Sequence, residues 1–329
     1  MKNSEFGGYL PLEISKTGEY FIEDNGYKIK RLNHGRSAIL YALMELKSKI
    51  VYLPLFYCPS VIDTLKKRGY KLFFYSIDEN LMPKFNRRID ENDTVILVDY
   101  YGVMNDKIKN IAKYLQCKII LDFAHDFFAT PMLKDNIYNV YSCRKFFGVP
   151  DGAYLIGTGF SGKIQLQQEE SYDRCLHLLK CIDKTTSSSY DLNLENEKYI
   201  GTTFNEMSKL TMHILNGINY KKIKKQREEN FAVLHEALKD YQKKQSLPKK
   251  APAYCYPLLL SKDIRNELIA KKVWIPTMWR ELIRDEYLDT IEYSYSKNMV
   301  CLPIDQRYDK KDMENLANIV IKTIEEVIK

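Results

Sequence analysis

The feature that most constrains this chain is an alternation of short apolar runs with helical patterns across residues 50–121. Ile50-Val51-Tyr52-Leu53 is one such run, residues 71–75 a second, TVILVDY at 94–100 a third, and Lys118-Ile119-Ile120-Leu121 a fourth. Between them, residues 59–68 open on Pro59 and stop at Gly69, two signals of helix boundaries. Residues 106–115 place Ile108, Ile111, Ala112 and Leu115 on one helical face. Strands alternating with helices predict an α/β protein with a mostly parallel sheet whose faces are covered. Reactive groups in such sheets gather at the carboxyl ends of the strands. Asp122 stands at one of those ends.

A second stretch, NVYSCRKFFGVPDGAYLIG at 139–157, has two strand-like runs separated by the turn Gly148-Val149-Pro150-Asp151-Gly152. Ser142, Arg144 and Lys145 fall where the first run ends. An amine there, partly desolvated and beside another cation, has its pKa lowered and its lone pair freed for Schiff-base chemistry. The plainer reading is a solvated Lys-Arg pair at a strand end. Near the N-terminus, Leu32-Asn33-His34-Gly35-Arg36-Ser37 is a polar turn leading into the helical pattern from Ala38 to Met44. A helix start of this kind suits a phosphate, with Arg36 and Ser37 as added donors. A simple N-cap by Asn33 or Ser37 explains the same pattern.

The first 30 residues show little periodicity and read as an extended arm. Residues 160–200 are polar and irregular, with a helix expected at 165–181. Helix returns from Asn205, breaks at Gly217-Ile218-Asn219 and resumes over 221–241. The run Lys221-Lys222-Ile223-Lys224-Lys225-Gln226-Arg227 reads as a solvated helix face. A polar linker at 243–250 leads to a smaller unit. It has a strand at 254–260, a helix at 262–271, a short strand at Val273-Trp274-Ile275, and a last helix from Asp309 lined by Met313, Leu316, Val320, Ile324 and Val327. The predicted division is therefore an arm at 1–30, a large domain at 31–245 and a small α+β domain at 246–329.

Composition closes off other classes. The seven cysteines lie scattered with no C-x-x-C pair, which argues for reduced thiols in a cytoplasm and against a zinc site or disulfide framework. No metal is expected. The N-terminus lacks the apolar core of a secretory signal, and no apolar stretch is long enough to span a bilayer. A net charge of +7 over 329 residues is too modest to suggest nucleic acid.

Several blocks together resemble the DegT/DnrJ-type sugar aminotransferase family, which are fold-type-I pyridoxal-phosphate (PLP) enzymes. Asn33-His34-Gly35-Arg36-Ser37-Ala38 resembles the family's G-T-x-A helix start, and Leu53-Pro54-Leu55-Phe56-Tyr57 its PxFT strand end. Asp122-Phe123-Ala124-His125 resembles DAAQ or DAAH. The interval from Lys145 to Gly152-Ala153 is similar to the family's lysine-to-glycine interval. GTTFNEMSKL at 201–210 resembles its GYNYRMSEI block, and Cys301-Leu302-Pro303-Ile304 its late LPxxP block. Coverage is nearly the whole chain.

The resemblance implies an aspartate-aminotransferase-like fold and a role for each matching position. Lys145 is the covalent anchor of PLP. Asp122 bonds the pyridine nitrogen, and His125 lies by the ring hydroxyl or ring face. Gly35, Arg36, Ser37 and Ser142 form the phosphate site, in which Arg144 shares. Tyr57 or Cys58 occupies the ring-stacking position. Asn205 reaches the phosphate of the other subunit of a homodimer. The implied reaction moves an amino group from glutamate to a nucleotide-linked keto-sugar. The family's dehydratase branch has histidine in place of this lysine, so Lys145 speaks against dehydration. Elimination at an amino acid, or a degenerate binding protein of the same fold, are the alternatives. This chain departs from the pattern in a shorter serine-to-lysine interval, in Arg144 directly before the lysine, and in Glu206 where the family has arginine. Outside the motifs, Asp126 reads as a solvated cap, Asp151-Gly152 as a turn, and Asp99 and Tyr100 as either pocket or scaffold. Trp274 and Trp279 read as core or a substrate wall.

Overall fold

The computed structural model describes residues 10–23, 26–199, 203–243 and 246–328. Gly7, Gly8 and Tyr9 of the expected arm, Gly201 and Thr202 of the GTTF block, and residues 244–245 of the expected linker lie outside the described residues.

Eight strands form one sheet. In chain order they are β1 (Lys28–Leu32), β2 (Ile50–Pro54), β3 (Lys71–Ile77), β4 (Pro83–Lys84), β5 (Thr94–Val98), β6 (Lys118–Phe123), β7 (Ile137–Ser142) and β8 (Ala153–Gly157). Their spatial order is β1-β8-β7-β6-β5-β2-β3-β4. Strands β3, β2, β5, β6 and β7 run parallel, while β8 is antiparallel to both β7 and β1, and β4 to β3. All five residues of β5 and of β8 are buried, as expected for strands covered on both faces. Because β1 runs the same way as the parallel set, the carboxyl ends of β1, β2, β5, β6 and β7 share one edge with the start of β8. The fold class read from the sequence is the one observed, an α/β protein with a mixed, mostly parallel sheet.

Helices α1 (Gly35–Glu45), α2 (Pro59–Lys67) and α3 (Asn105–Tyr114) follow strands at that edge. Seven consecutive residues of α1, Ser37 to Leu43, are buried, which ties its N-terminus firmly to the sheet. Helices α4 (Leu176–Asp183), α5 (Tyr190–Tyr199), α6 (Lys209–Asn216) and α7 (Tyr220–Leu238) come next. The chain then forms a two-stranded antiparallel sheet of β9 (Cys255–Leu259) and β10 (Met299–Pro303), with α8 (Arg265–Ala270), α9 (Ile291–Asn298) and α10 (Lys310–Val327). Asp309 caps α10 through a capping box with Asp312. Among the described residues no helix is long and apolar enough to cross a membrane.

Several expectations need correcting. Strand β1 was hidden in the supposed arm. Its alternation is masked by Lys28, Lys30 and Arg31, and Arg31 is held by Glu19 at 3.0 Å. Phe21, a little before this strand, is buried, with its ring 4.6 Å from that of Tyr141, whereas most of residues 10–19 are exposed and without regular structure, as expected of an arm. The helix expected at 165–181 is confined to α4, because Glu169 and Ser171 are committed to side-chain networks. Asn205 precedes α6 rather than starting it; Ser208 is the N-cap, its Oγ accepting from Thr211 N at 3.0 Å. Val273-Trp274-Ile275 pairs with no strand and leaves Trp274 exposed. Arg227, last of the basic run, is buried and donates to the Ala253 carbonyl at 2.9 Å.

The turns at the strand ends are tightly built. After β5, Tyr101 and Gly102 have φ values of 60° and +84°. A Cβ on Gly102 would stand 2.2 Å from the His125 carbonyl oxygen and 3.0 Å from Ala253 Cα. Gly102→Ala is therefore expected to destabilise the protein by on the order of 2 kcal/mol or more. Denaturant unfolding checks this, and an unchanged midpoint contradicts it.

Asp126 is buried beside Asp99 rather than solvated. Asn105 Nδ2 donates to its Oδ2 at 3.2 Å, and its other oxygen faces the Asp99 carboxyl. Asp99 also accepts from Met104 N at 2.6 Å. Burial raises both acids, Asp126 to about 6, and the charge of Asp126 raises Asp99 further. A raised carboxyl pKa gives stability that is complete below the unfolded value and is lost as pH rises through the folded one. Unfolding free energy should fall from about pH 4 to about pH 7 by on the order of 1–3 kcal/mol from this pair. Asp126→Asn should flatten that slope; an identical slope in the variant contradicts the raised carboxyls.

Candidate active site

The shared strand edge opens into a cavity of about 660 Å³, within the range of small-molecule sites. It is lined by Gly35, Arg36, Tyr57, Cys58, Asp122, His125, Ser142, Arg144 and Lys145 from the sequence-predicted set. Four chain segments, from Gly35 to Lys145, thus converge on one space. Two members of the set stand elsewhere. Ser37 is buried within α1 and does not reach the cavity wall. Asn205 lies behind α1, where its Nδ2 donates to Glu169 Oε2 at 3.2 Å.

Asp122 sits on β6 between Val98 of β5 and Val140 of β7, its register partners, and all three side chains line the cavity. Its carboxylate is buried and doubly held. Tyr57 Oη donates to Oδ2 at 2.6 Å, and Ala124 N donates to Oδ1 at 2.9 Å. Burial raises its pKa, opposed by those two donors and by the charge of Lys145. A buried carboxylate of this kind gains from a cationic donor placed against it. Tyr57 is therefore a support for Asp122, and Cys58, at the start of α2, is exposed at the cavity wall.

His125 is neutral. Burial pushes its pKa well below the ordinary histidine value, with a further push from Lys145. Tyr101 N donates to its Nδ1 at 3.1 Å, which leaves the proton on Nε2. The ring stacks on Tyr254, centroids 4.9 Å apart and planes 14° from parallel. The strained turn at Tyr101-Gly102 thus fixes the tautomer and tilt of a cavity residue.

Lys145 stands on the tight turn after β7, where Phe146 N and Phe147 N both donate to the Cys143 carbonyl, at 3.0 and 2.9 Å. Its Nζ is 4.9 Å from the centroid of the Tyr254 ring. Burial lowers its pKa and Arg144 adds to that, while Cys58 and Asp122 oppose it. The solvated-pair reading fails for the lysine on these grounds. Arg144 does pair, its Nη2 2.5 Å from Oε1 of Glu197 on α5, and Glu197 also lines the cavity.

Asp151 and Gly152 are more than a turn. Asp151 accepts from Ser208 N at 2.8 Å, Ser208 Oγ at 2.6 Å, Ser171 Oγ at 3.1 Å and Thr211 Oγ1. Gly152, at φ +117°, leaves no room for a Cβ beside Thr211 and Cys143. Together they clamp the Lys145 loop against α6. Asp99 and Tyr100 belong to the scaffold: Tyr100 Oη donates to the Phe56 carbonyl at 2.8 Å.

Sequence reasoning missed two contributors, His34 and Arg227, and left a third, Trp279, open between core and a substrate wall. His34 lines the cavity beside Gly35. Trp279, with Met278, Arg280 and Glu281, forms a wall brought from the C-terminal part of the chain. Its ring lies 4.1 Å from Phe56. Arg227 braces the lysine loop from behind, its guanidinium 4.5 Å from the Phe146 ring, and Gln306 Nε2 donates to the Phe146 carbonyl at 2.8 Å. His34 carried a weak local signal, a polar residue before a helix-opening glycine; the other two depend on contacts far apart in sequence.

The donor set fits PLP. A buried carboxylate with a free share of acceptor capacity suits a protonated ring nitrogen. A desolvated amine in the same cavity suits the aldehyde. The uncapped start of α1 with two arginines suits the phosphate.

No family model and no curated protein sequence matches this chain. Solved structures match across most of its length. A DegT DnrJ EryC1 StrS aminotransferase from Brucella abortus is 13% identical, with 89% of this chain and 85% of that one covered and a TM-score of 0.58. The aminotransferase TlmJ from Streptoalloteichus hindustanus is 15% identical over 92% and 87%, with a TM-score of 0.62. NtdA from Bacillus subtilis, with bound pyridoxamine phosphate (PMP), is 14% identical over 90% and 73%, with a TM-score of 0.61. The fold of this chain is that of the DegT/DnrJ/EryC1/StrS sugar aminotransferases, the fold type I of PLP enzymes.

Proposed function

We propose that the protein is a PLP-dependent aminotransferase that moves an amino group from glutamate to a nucleotide-linked keto-sugar, working as a cytoplasmic homodimer. The observation that carries this reading is the convergence of Lys145, Asp122 and His125 on one cavity at the strand ends. PLP, when bound, supplies an aldehyde that condenses with amines and a ring that accepts the electron pair released at the substrate carbon. Lys145 would hold the aldehyde carbon. Asp122 would face the ring nitrogen, with Arg36, Arg144 and Ser142 at the phosphate.

The chain's own groups then have defined work. Lys145 Nζ, its pKa lowered by burial and by Arg144, can accept a proton from the substrate carbon and return it. Tyr57 and Ala124 hold both oxygens of Asp122 in place and oppose the effect of its burial, so its carboxyl group is fixed for a ring nitrogen to meet. His125 presents Nε2–H as an uncharged donor, and its neutrality spares Lys145 a second positive neighbour beside Arg144. The Trp279 wall excludes water from one side. Glu281 and Arg280 offer polar contacts that a sugar acceptor can use.

The purified protein with added PLP should turn yellow and bleach on addition of L-glutamate, releasing 2-oxoglutarate. Lys145→Ala should lose the bleaching and the product. Asp122→Asn should retain folded structure and lower the rate by on the order of a hundredfold or more. A protein that stays colourless with PLP, or a Lys145→Ala variant as active as wild type, contradicts the proposal.

A further inference from the structure

One wall of the cavity is weakly anchored. Glu197 reaches that wall from α5, and its Oε1 accepts from Arg144 Nη2 at 2.5 Å. Among the described side chains, this is the only hydrogen bond from α5 to another helix or strand of the fold. No apolar side chain of α4 or α5 joins the hydrophobic core among the described residues. A helix seated on a protein turns its apolar face inward. α5 does the reverse. Tyr190 and Leu194 are exposed, while Asn196 is 4% exposed. Both polar atoms of the Asn196 amide lie buried without a hydrogen-bond partner. Buried amides are nearly always paired, so this seat carries a cost that most native helices avoid. Beyond α5, Arg307 Nη1 donates to Thr186 Oγ1 at 3.4 Å, which tethers the connection from α4 rather than α5 itself. A segment with few core contacts and an unpaired buried amide belongs to the low-stability end of a fold. α5 has ten residues, too few to keep its helix in water once it leaves its seat.

We propose that α5 is a displaceable strap, latched at the cavity wall by Glu197 on Arg144, and that a phosphate-bearing ligand releases it by taking Arg144. The ligand class rests on the reading of the cavity as a PLP site; the latch rests on α5 alone. A phosphate group carries more charge than the Glu197 carboxylate and offers three acceptor oxygens to the same guanidinium. The exchange of partners therefore runs toward the ligand, and the amide of Asn196 regains water as α5 lifts. While Glu197 holds Arg144, the competent fraction of the protein is small, and apparent affinity for the anion falls by that fraction.

The test follows hydrogen exchange of the α5 amides in the full chain, alone and with inorganic phosphate, PLP or pyridoxal, together with equilibrium binding of inorganic phosphate. Phosphate and PLP should speed exchange over residues 190–198 by about tenfold or more, and pyridoxal, which lacks the phosphate, should not. Glu197→Gln should exchange fast without ligand and bind phosphate about threefold to tenfold more tightly. Asn196→Leu changes no charge and fills the seat with an apolar side chain, so it should slow exchange and weaken phosphate by a similar factor. If that variant folds poorly, the nearly isosteric Glu197→Gln still reads the latch through its exchange. Exchange in α5 that is the same with and without phosphate overturns the proposal. So does Asn196→Leu binding phosphate like wild type while Glu197→Gln binds it more tightly, which marks a plain charge effect. If phosphate releases α5 while PLP forms no adduct at Lys145, the strap stands and the proposed function fails. If PLP attaches to Lys145 while α5 exchange stays unchanged, the function stands and the strap fails.

Discussion

The site depends on the parallel pairing of β6 with β5 and β7. That register places Asp122 opposite Val98 and Val140, and the three side chains form one floor. Strand side chains alternate faces, so a slip of one residue would bury Asp122 on the far face and turn Phe123 into the cavity. The close packing on both faces of β5 and β6 opposes that slip, because it would misplace every side chain fitted over residues 94–98 and 118–123. Stability and placement of the carboxylate thus come from the same pairing. The loops that leave the edge inherit their positions from it. Tyr57 returns from β2 to hold Asp122, and Lys145 leaves β7 on a turn clamped by Asp151, Gly152 and Arg227.

Within that frame the electrostatics are economical. His34 and His125 are neutral by burial, so the positive charge of the cavity comes from Arg36, Arg144, Arg280 and the lysine. Arg144 works on Lys145 in the same direction as desolvation, and Asp122 against both. Arg144, directly before Lys145 in the chain, sets a guanidinium charge close to that amine. The small-sheet part of the chain supplies the remaining wall through Trp279, whose left-handed backbone aims it toward Phe56 and the cavity.

How much of this was legible in sequence follows from the range of each interaction. The strands at 50–54, 94–98 and 118–123 were readable because burial on both faces leaves unbroken apolar runs. Asp122, His125 and Lys145 were readable because strand ends can be located from those runs. β1 was not, since its lysines and arginine imitate a loop and its partner β8 lies more than a hundred residues on. Asp126 was misread because a polar residue near an element end looks solvated until the tertiary fold covers it. The Arg227 brace sits in a lysine-rich run whose other members do face water. The Trp279 wall needs the C-terminal chain folded back against β2. His34 was read only as part of a turn, because burial at the cavity wall is a property of its surroundings alone.

The central claim is that one lysine among many is chemically distinct because the fold buries it in this cavity. Borohydride reduction of the protein with PLP, followed by peptide mapping, tests that claim most directly. The account predicts a single dominant label on the peptide that contains Lys145. Labels spread over exposed lysines such as Lys221 and Lys225, with Lys145 unmodified, would contradict it.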